Sequence, residues 1–293
     1  MSTLDLSALP APQVLEALDF EALYQDKLAT FRQHMGGNWS AALESDPVVK
    51  LLELAAYRDL QLRARVNDAA KALLLAHAQG SDLDQLAANV KLKRLVIRPA
   101  DPQALPPTPE VKESDDALRE RIQLAYEGLT TAGPRNSYIL HARNASALVA
   151  DAAAQSPSPA CVTVTVLGLE GDGSVAPELL ATVAAALNDE DVRPLGDRVT
   201  VQSAQVLPYR IDAVLHMKGP GPESDAALAE ARRRLAAWIN PRRRLGLEVP
   251  RSAIDAQLHV AGVSRVDLAN WQDIAPTPAQ AAYCTGYSIT LGG

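Results

Sequence analysis

The sequence predicts an α+β protein, with an N-terminal helical region carrying one long helix and a C-terminal α+β module of strand–helix–strand units. Three observations carry this. An apolar-striped segment free of proline and glycine runs from Val48 to Gln79. At Cys161 the texture changes to CVTVTVL, whose alternating β-branched residues are those of a half-buried strand. Beyond it, strand-like and helix-like stretches alternate, which favours a ferredoxin-like arrangement of two strand–helix–strand units.

In chain order, residues 1–10 read as an extended arm and residues 11–34 as a first helix with Val14, Leu18, Phe20, Leu23, Leu28 and Phe31 on its apolar positions. Met35-Gly36-Gly37-Asn38 breaks it, and Trp39 anchors the corner. The long helix then starts with Asp46 as cap and Pro47 at the first helical position, where a missing N–H costs nothing. Its expected end is Gly80, a residue suited to a left-handed C-terminal position. That gives about 33 residues, roughly 50 Å at 1.5 Å per residue. Val48, Leu52, Ala55, Leu62, Val66, Ala69, Leu73 and Ala76 recur at three- and four-residue spacing, interrupted only by Asp59. Leu51, Leu54, Tyr57 and Leu60 widen the stripe beyond a coiled-coil seam. Amphipathicity alone leaves open whether this face packs inside the chain or against another one. Asn67, beside the stripe, is either a register-fixing hydrogen-bonding group or a half-exposed polar residue.

Ser81 and Asp84 suggest a capping box for a short helix over 82–89. Residues 98–112 contain five prolines and read as an extended crossing segment. Helices follow over 117–127, ending at Gly128, and over 138–147 after the loop TTAGPRNS. QSPSPA reads as a second break. The module beyond it has strands in CVTVTVL, DRVTVQSAQV, 209–217, 264–268 and 287–291, with helices over 177–188, 223–239 and 252–260. The domain boundaries predicted are 1–97, 98–158 and 159–293, with Gly128, Gly133 and Pro157 as candidate hinges.

Composition narrows the function. Hydrophobic residues make up 47% of the chain but aromatics only 4%, which favours close helix packing over an aromatic-walled ligand pocket. The net charge of -7 argues against a dedicated nucleic-acid binder. Cys161 and Cys284 are far apart and in no metal spacing, as expected of thiols in a cytoplasmic product. The N-terminal stretch has acids where a secretion signal has bases, and no run approaches the roughly 18 apolar residues of a membrane span.

No catalytic constellation emerges, and no cofactor, metal or small-molecule substrate is expected. The five histidines are isolated from one another in sequence, and neither HExxH nor GxSxG occurs. The glycine loop Gly168–Gly173 follows a strand and precedes a helix, but it lacks phosphate-loop spacing and its Glu170 and Asp172 would repel phosphate. It reads as a structural turn. Six arginines, in runs at 232–234 and 242–244, could grip phosphate. Net acidity and the lack of an aromatic stacking platform favour protein partners for them instead, with Arg234 and Arg243 as interface candidates.

Three ordered motifs carry a family resemblance. SDPVVKLLELAAYRDLQLRARVNDAAKALLLAHAQGSDLDQLA (45–87), RERIQLAYEGLTTAGPRNSYILHA (119–142) and DVRPLGDRVTV (191–201) resemble the patterns of the baseplate J-like family of contractile-tail proteins. The chain departs from that pattern at VKLKRLVI (90–97), which lacks a glycine before Arg94, and at Asn136. The resemblance implies a baseplate wedge protein of a phage tail or an R-type bacteriocin, assembled in the bacterial host cytoplasm. Its implied partners are a second copy of itself in a different conformation, a second wedge protein, neighbouring wedges, the sheath initiator and the central hub and spike. On that reading Val48, Leu52, Ala55, Leu62, Val66, Ala69 and Leu73 line a helical core bundle, and residues 159–293 contact the next wedge.

Overall fold

The computed structural model describes residues 6–10, 12–36, 39, 43, 45–125, 134–219, 221 and 223–292. Eight helices and eight strands among them form an α+β fold in two compact units. One unit comprises residues 1–93 and 115–122, the other 94–114 and 123–293.

In the first unit, α1 spans Phe20–Met35, shorter than the sequence predicts. The reason is Asp19, whose side chain accepts from the Glu21 and Ala22 amides and sets the start there. The long helix α2 spans Pro47–Ala72, and Asp46 caps it as expected by accepting from the Val48 N–H. Trp39 holds the corner, its indole donating to Asp46 (3.3 Å) and its ring meeting Phe31 edge-on.

The predicted end of α2 at Gln79 is wrong by two turns. Arg119 donates to the carbonyls of Leu75 and Ala78, both at 2.8 Å. In a helix running to Gln79, the Leu75 carbonyl would accept from the last amide and the Ala78 carbonyl would have no intrahelical partner. Residues 73–78 instead tighten into turns that bury Ala78 beside Leu83, Ala87, Leu118 and Ile122. Gly80 does take a left-handed φ of +50°, but it opens α3 (Gly80–Asn89), and its N–H donates to Asp115 rather than Ser81 forming a cap.

In the second unit, the proline-rich segment folds back on itself as an antiparallel hairpin, β1 (Val96–Arg98) with β2 (Val111–Lys112), so it is not an extended crossing. Helix α4 (Asp115–Leu124) begins in the first unit and ends in the second. Next comes α5 (Arg135–Ala145). QSPSPA is no break: β3 (Val149–Ser158) runs through it and turns back into β4 (Cys161–Gly168). Pro157 therefore sits in a paired hairpin, and the boundary predicted at 158/159 falls inside one sheet. Prolines are tolerated there because β3 is an edge strand whose register shifts between Gln155 and Ser158. The boundary at 97/98 likewise falls inside β1, while Gly128 and Gly133 lie outside the described residues.

Helix α6 (Pro177–Leu187) then crosses to β5 (Arg198–Ser203), which pairs parallel with β4. At Ala204 the chain leaves this sheet, and β6 (Gln205–Met217) founds a second one. Helices α7 (Glu223–Trp238) and α8 (Arg251–Leu258) cover it, with β7 (Val263–Leu268) antiparallel and β8 (Gln280–Leu291) parallel to β6. There are thus two three-stranded sheets, β3-β4-β5 and β7-β6-β8, where a single ferredoxin-like sheet is expected. Each has its own core, Val164, Val166, Val183 and Leu187 in one and Ile211, Leu215, Leu235, Ile254 and Ile289 in the other.

Candidate assembly interface

Helix α2 has two apolar faces that serve different purposes. The face toward α1 and toward the non-helical arm before it (residues 12–19) is made by Val49, Ala56 (0% exposed) and Asn67 (8% exposed), with Leu28 buried on α1. Lys27 pairs with Asp59 across the same contact, which explains why an acid interrupts the predicted row. Asn67 accepts from the Glu16 N–H (3.1 Å) and donates to the Glu16 carbonyl (2.8 Å), pairing with the arm as a strand residue would. Arg63 adds an ion pair to Glu16 at 2.6 Å. Asn67 is therefore a register-fixing group, but the register it fixes is that of its own arm.

The predicted stripe is the other face. Val48 and Leu52, near the start of the helix, are half-buried, whereas Ala55, Leu62 (66% exposed), Val66 (59%), Ala69 and Leu73 (75%) are open. Leu51, Leu54 and Tyr57 extend the open surface. At 100° per residue, positions 51, 55, 62, 66, 69 and 73 fall within one narrow arc of the cylinder. Among the described residues, this apolar strip is left bare by the chain's own packing.

The arginine runs are largely spent within the chain. Arg232 donates to the Ile289 carbonyl at 2.9 Å. Arg233 and Arg234 share Glu230, whose carboxyl is held down at about 2 by hydrogen bonds from Arg233 and then Arg234. Arg243 is half-buried and bonds within the second unit. Its guanidinium donates to the carbonyls of Gly168, Leu169 and Gly171 at 3.0–3.2 Å and lies over the Tyr283 ring. Nothing in the sequence joins the glycine loop to this arginine, because the two meet only through the fold. Asp151 is a buried acid that sequence reasoning missed. Burial pushes its carboxyl up, opposed by amide hydrogen bonds from Leu245 and Ala152 and by the charges of Arg244 and Arg143.

Among the described residues, no three His, Cys, Asp or Glu side chains converge as a metal site would require, and no helix is long and apolar enough to cross a membrane.

Residues 44–101 match the Baseplate J-like N-terminal domain, and residues 130–203 match the Baseplate J-like central domain. Over 300 aligned residues the chain is 49% identical to Baseplate protein J of Escherichia phage P2, covering 100% of this chain and 99% of that protein. The chain belongs to the baseplate J-like family. The family's N-terminal domain here comprises α2, α3 and β1. Its central domain holds the β3-β4-β5 sheet with α5 and α6 and ends beside Ala204, where the chain changes sheets. The 45–87 and 191–201 motifs lie inside these two matches. A chain of the anti-feeding prophage baseplate, seen by cryo-EM, aligns at 14% identity and a TM-score of 0.39, over 61% of this chain and 42% of that one.

Proposed function

We propose that this baseplate structural protein of a contractile tail is a wedge scaffold, and that the open face of α2 is the surface by which it joins a helical core bundle. In that bundle two copies of the chain, in different conformations, meet one copy of a second wedge protein. Six such wedges form a ring around the hub and spike, with residues 159–293 reaching the neighbouring wedge and the sheath initiator docking on the ring. Assembly takes place in the bacterial host cytoplasm, and the ring passes on the conformational change that triggers sheath contraction. The protein acts as a strut, with no catalysis of its own.

One observation carries this reading. The chain's internal contact uses Val49, Ala56 and Asn67, which leaves Leu62 and Val66 uncovered along the same helix and Leu73 uncovered at its C-cap. A nucleic-acid role would need arginines free to meet phosphate, yet Arg232 and Arg243 are committed to backbone carbonyls. The test is Leu62→Asp or Leu73→Asp in co-expressed wedge components, read by native mass spectrometry. Loss of the heterotrimer with the monomer still folded is the expected result, and intact heterotrimers would sink the bundle. Salt-sensitive retention of the chain on DNA would favour the nucleic-acid reading instead.

A further inference from the structure

The glycine loop and the second arginine run, which the assembly role leaves unused, account for each other. The segment 240–247 leaves α7 and touches both sheets of the second unit. Toward the C-terminal sheet, the Asn240 amide donates to the Cys284 carbonyl (3.0 Å) and accepts from the Cys284 N–H (2.9 Å), while the Gly246 N–H donates to the Gln280 carbonyl. A side-chain amide thus stands in for a neighbouring strand along β8, an edge strand that would otherwise offer unpaired backbone groups there. Toward the central sheet, Arg243 spans the three carbonyls of the glycine loop, and the Leu245 N–H donates to buried Asp151 at 3.0 Å. Leu245 also packs on the small cluster of Leu167, Ala204 and Ala281, drawn from both sheets.

The loop is shaped to receive the guanidinium. Gly173 has a φ of +98°, and a Cβ there would lie 2.5 Å from Leu167 Cδ1 and 3.3 Å from Arg243 Nε. Only glycine leaves that seat open. A forked guanidinium fills it with hydrogen bonds that an ammonium cannot match in geometry.

We propose that residues 240–247 are an interlock that fuses the β3-β4-β5 and β7-β6-β8 sheets into one rigid body, with Arg243 seated in the glycine loop as its key. Ala204, the covalent link between the sheets, is then a corner rather than a hinge. A force applied to the C-terminal sheet reaches the central sheet without being absorbed between them. The interlock belongs to the isolated chain, so its failure would leave the wedge reading intact, and the converse also holds.

The experiment is hydrogen exchange of the full chain against increasing urea, comparing β4 and β8 peptides in the wild type, Arg243→Lys and Arg243→Ala. Arg243→Lys keeps the charge and the stem, so it folds even where Arg243→Ala does not. The wild type should lose protection in both strands at one shared midpoint. Arg243→Lys should split them into two, with exchange in the less protected strand at least about tenfold faster at intermediate urea. Two midpoints in the wild type, or one shared midpoint in every variant that folds, overturns the interlock.

Discussion

Asn67 and Leu62 lie on one helix only five positions apart, and what each loses on truncation separates the two faces of α2. Asn67→Ala strips the arm's Glu16 of both backbone partners in a part-buried setting. It should cost about 1–2 kcal/mol in chemical denaturation and speed exchange at the Glu16 amide. Leu62→Ala removes an exposed side chain and should move the isolated chain's stability by less than about 0.5 kcal/mol. A large loss for Leu62→Ala would mean that the stripe is internal core after all. Asp151 gives a pH signature. Its folded-state carboxyl lies above the ordinary 3.8, chiefly because burial penalises the charge, so the folded chain holds that proton more tightly than the unfolded one. The contribution of Asp151 therefore falls as pH rises from 3.8 through the raised value. Asp151→Asn abolishes that slope, so its stability relative to wild type should climb across this window. Glu230 runs the other way. Held at about 2, it favours the fold above pH 4.5 and loses that contribution as pH falls toward 2, weakly and in a salt-sensitive way because it is exposed.

At the scale of the element, the start of α2 was more legible than its end. Asp46-Pro47 marks the start of α2 because a cap is local chemistry, three residues deep. The turns that follow Ala72 are held by Arg119, 44 positions beyond the Leu75 carbonyl it takes, and no window on the helix itself contains that information. Arg119→Gln should lower the stability of the first unit by roughly 1.5–3 kcal/mol, since charge-assisted bonds to two carbonyls are lost. Exchange measurements should then show α3 loosening before α1. Protection of α3 unchanged from wild type would mean that the turns at 73–78 hold without the arginine. β3 went unread for a different reason. Its SPSP run looks like a loop because proline cannot donate to a ladder, and only its position at the sheet edge makes that harmless. That Ala55, Leu62, Val66, Ala69 and Leu73 share one side of the helix was legible because helical periodicity is local. Arg243 was not, because its partners come from a loop more than 70 residues away.

For the whole molecule, the α+β class was legible from the change of texture at Cys161, but the division into two sheets was not. DRVTVQSAQV reads as one strand, and nothing in its alternation marks Ala204 as the corner where the chain passes from pairing with β4 to pairing with β8. That choice is made by distant strands. The central sheet and the C-terminal sheet belong to one compact unit, and α2 with α3 to another. On the proposed wedge reading, the first unit would serve the bundle and the second the ring. The open face of α2 bears the most weight in this picture, and hydroxyl-radical footprinting reads it directly by comparing the isolated chain with the assembled baseplate. Oxidation at Leu62, Val66 and Leu73 should be strong in the free chain and fall sharply on assembly. Equal reactivity of these three side chains in both states would contradict the bundle.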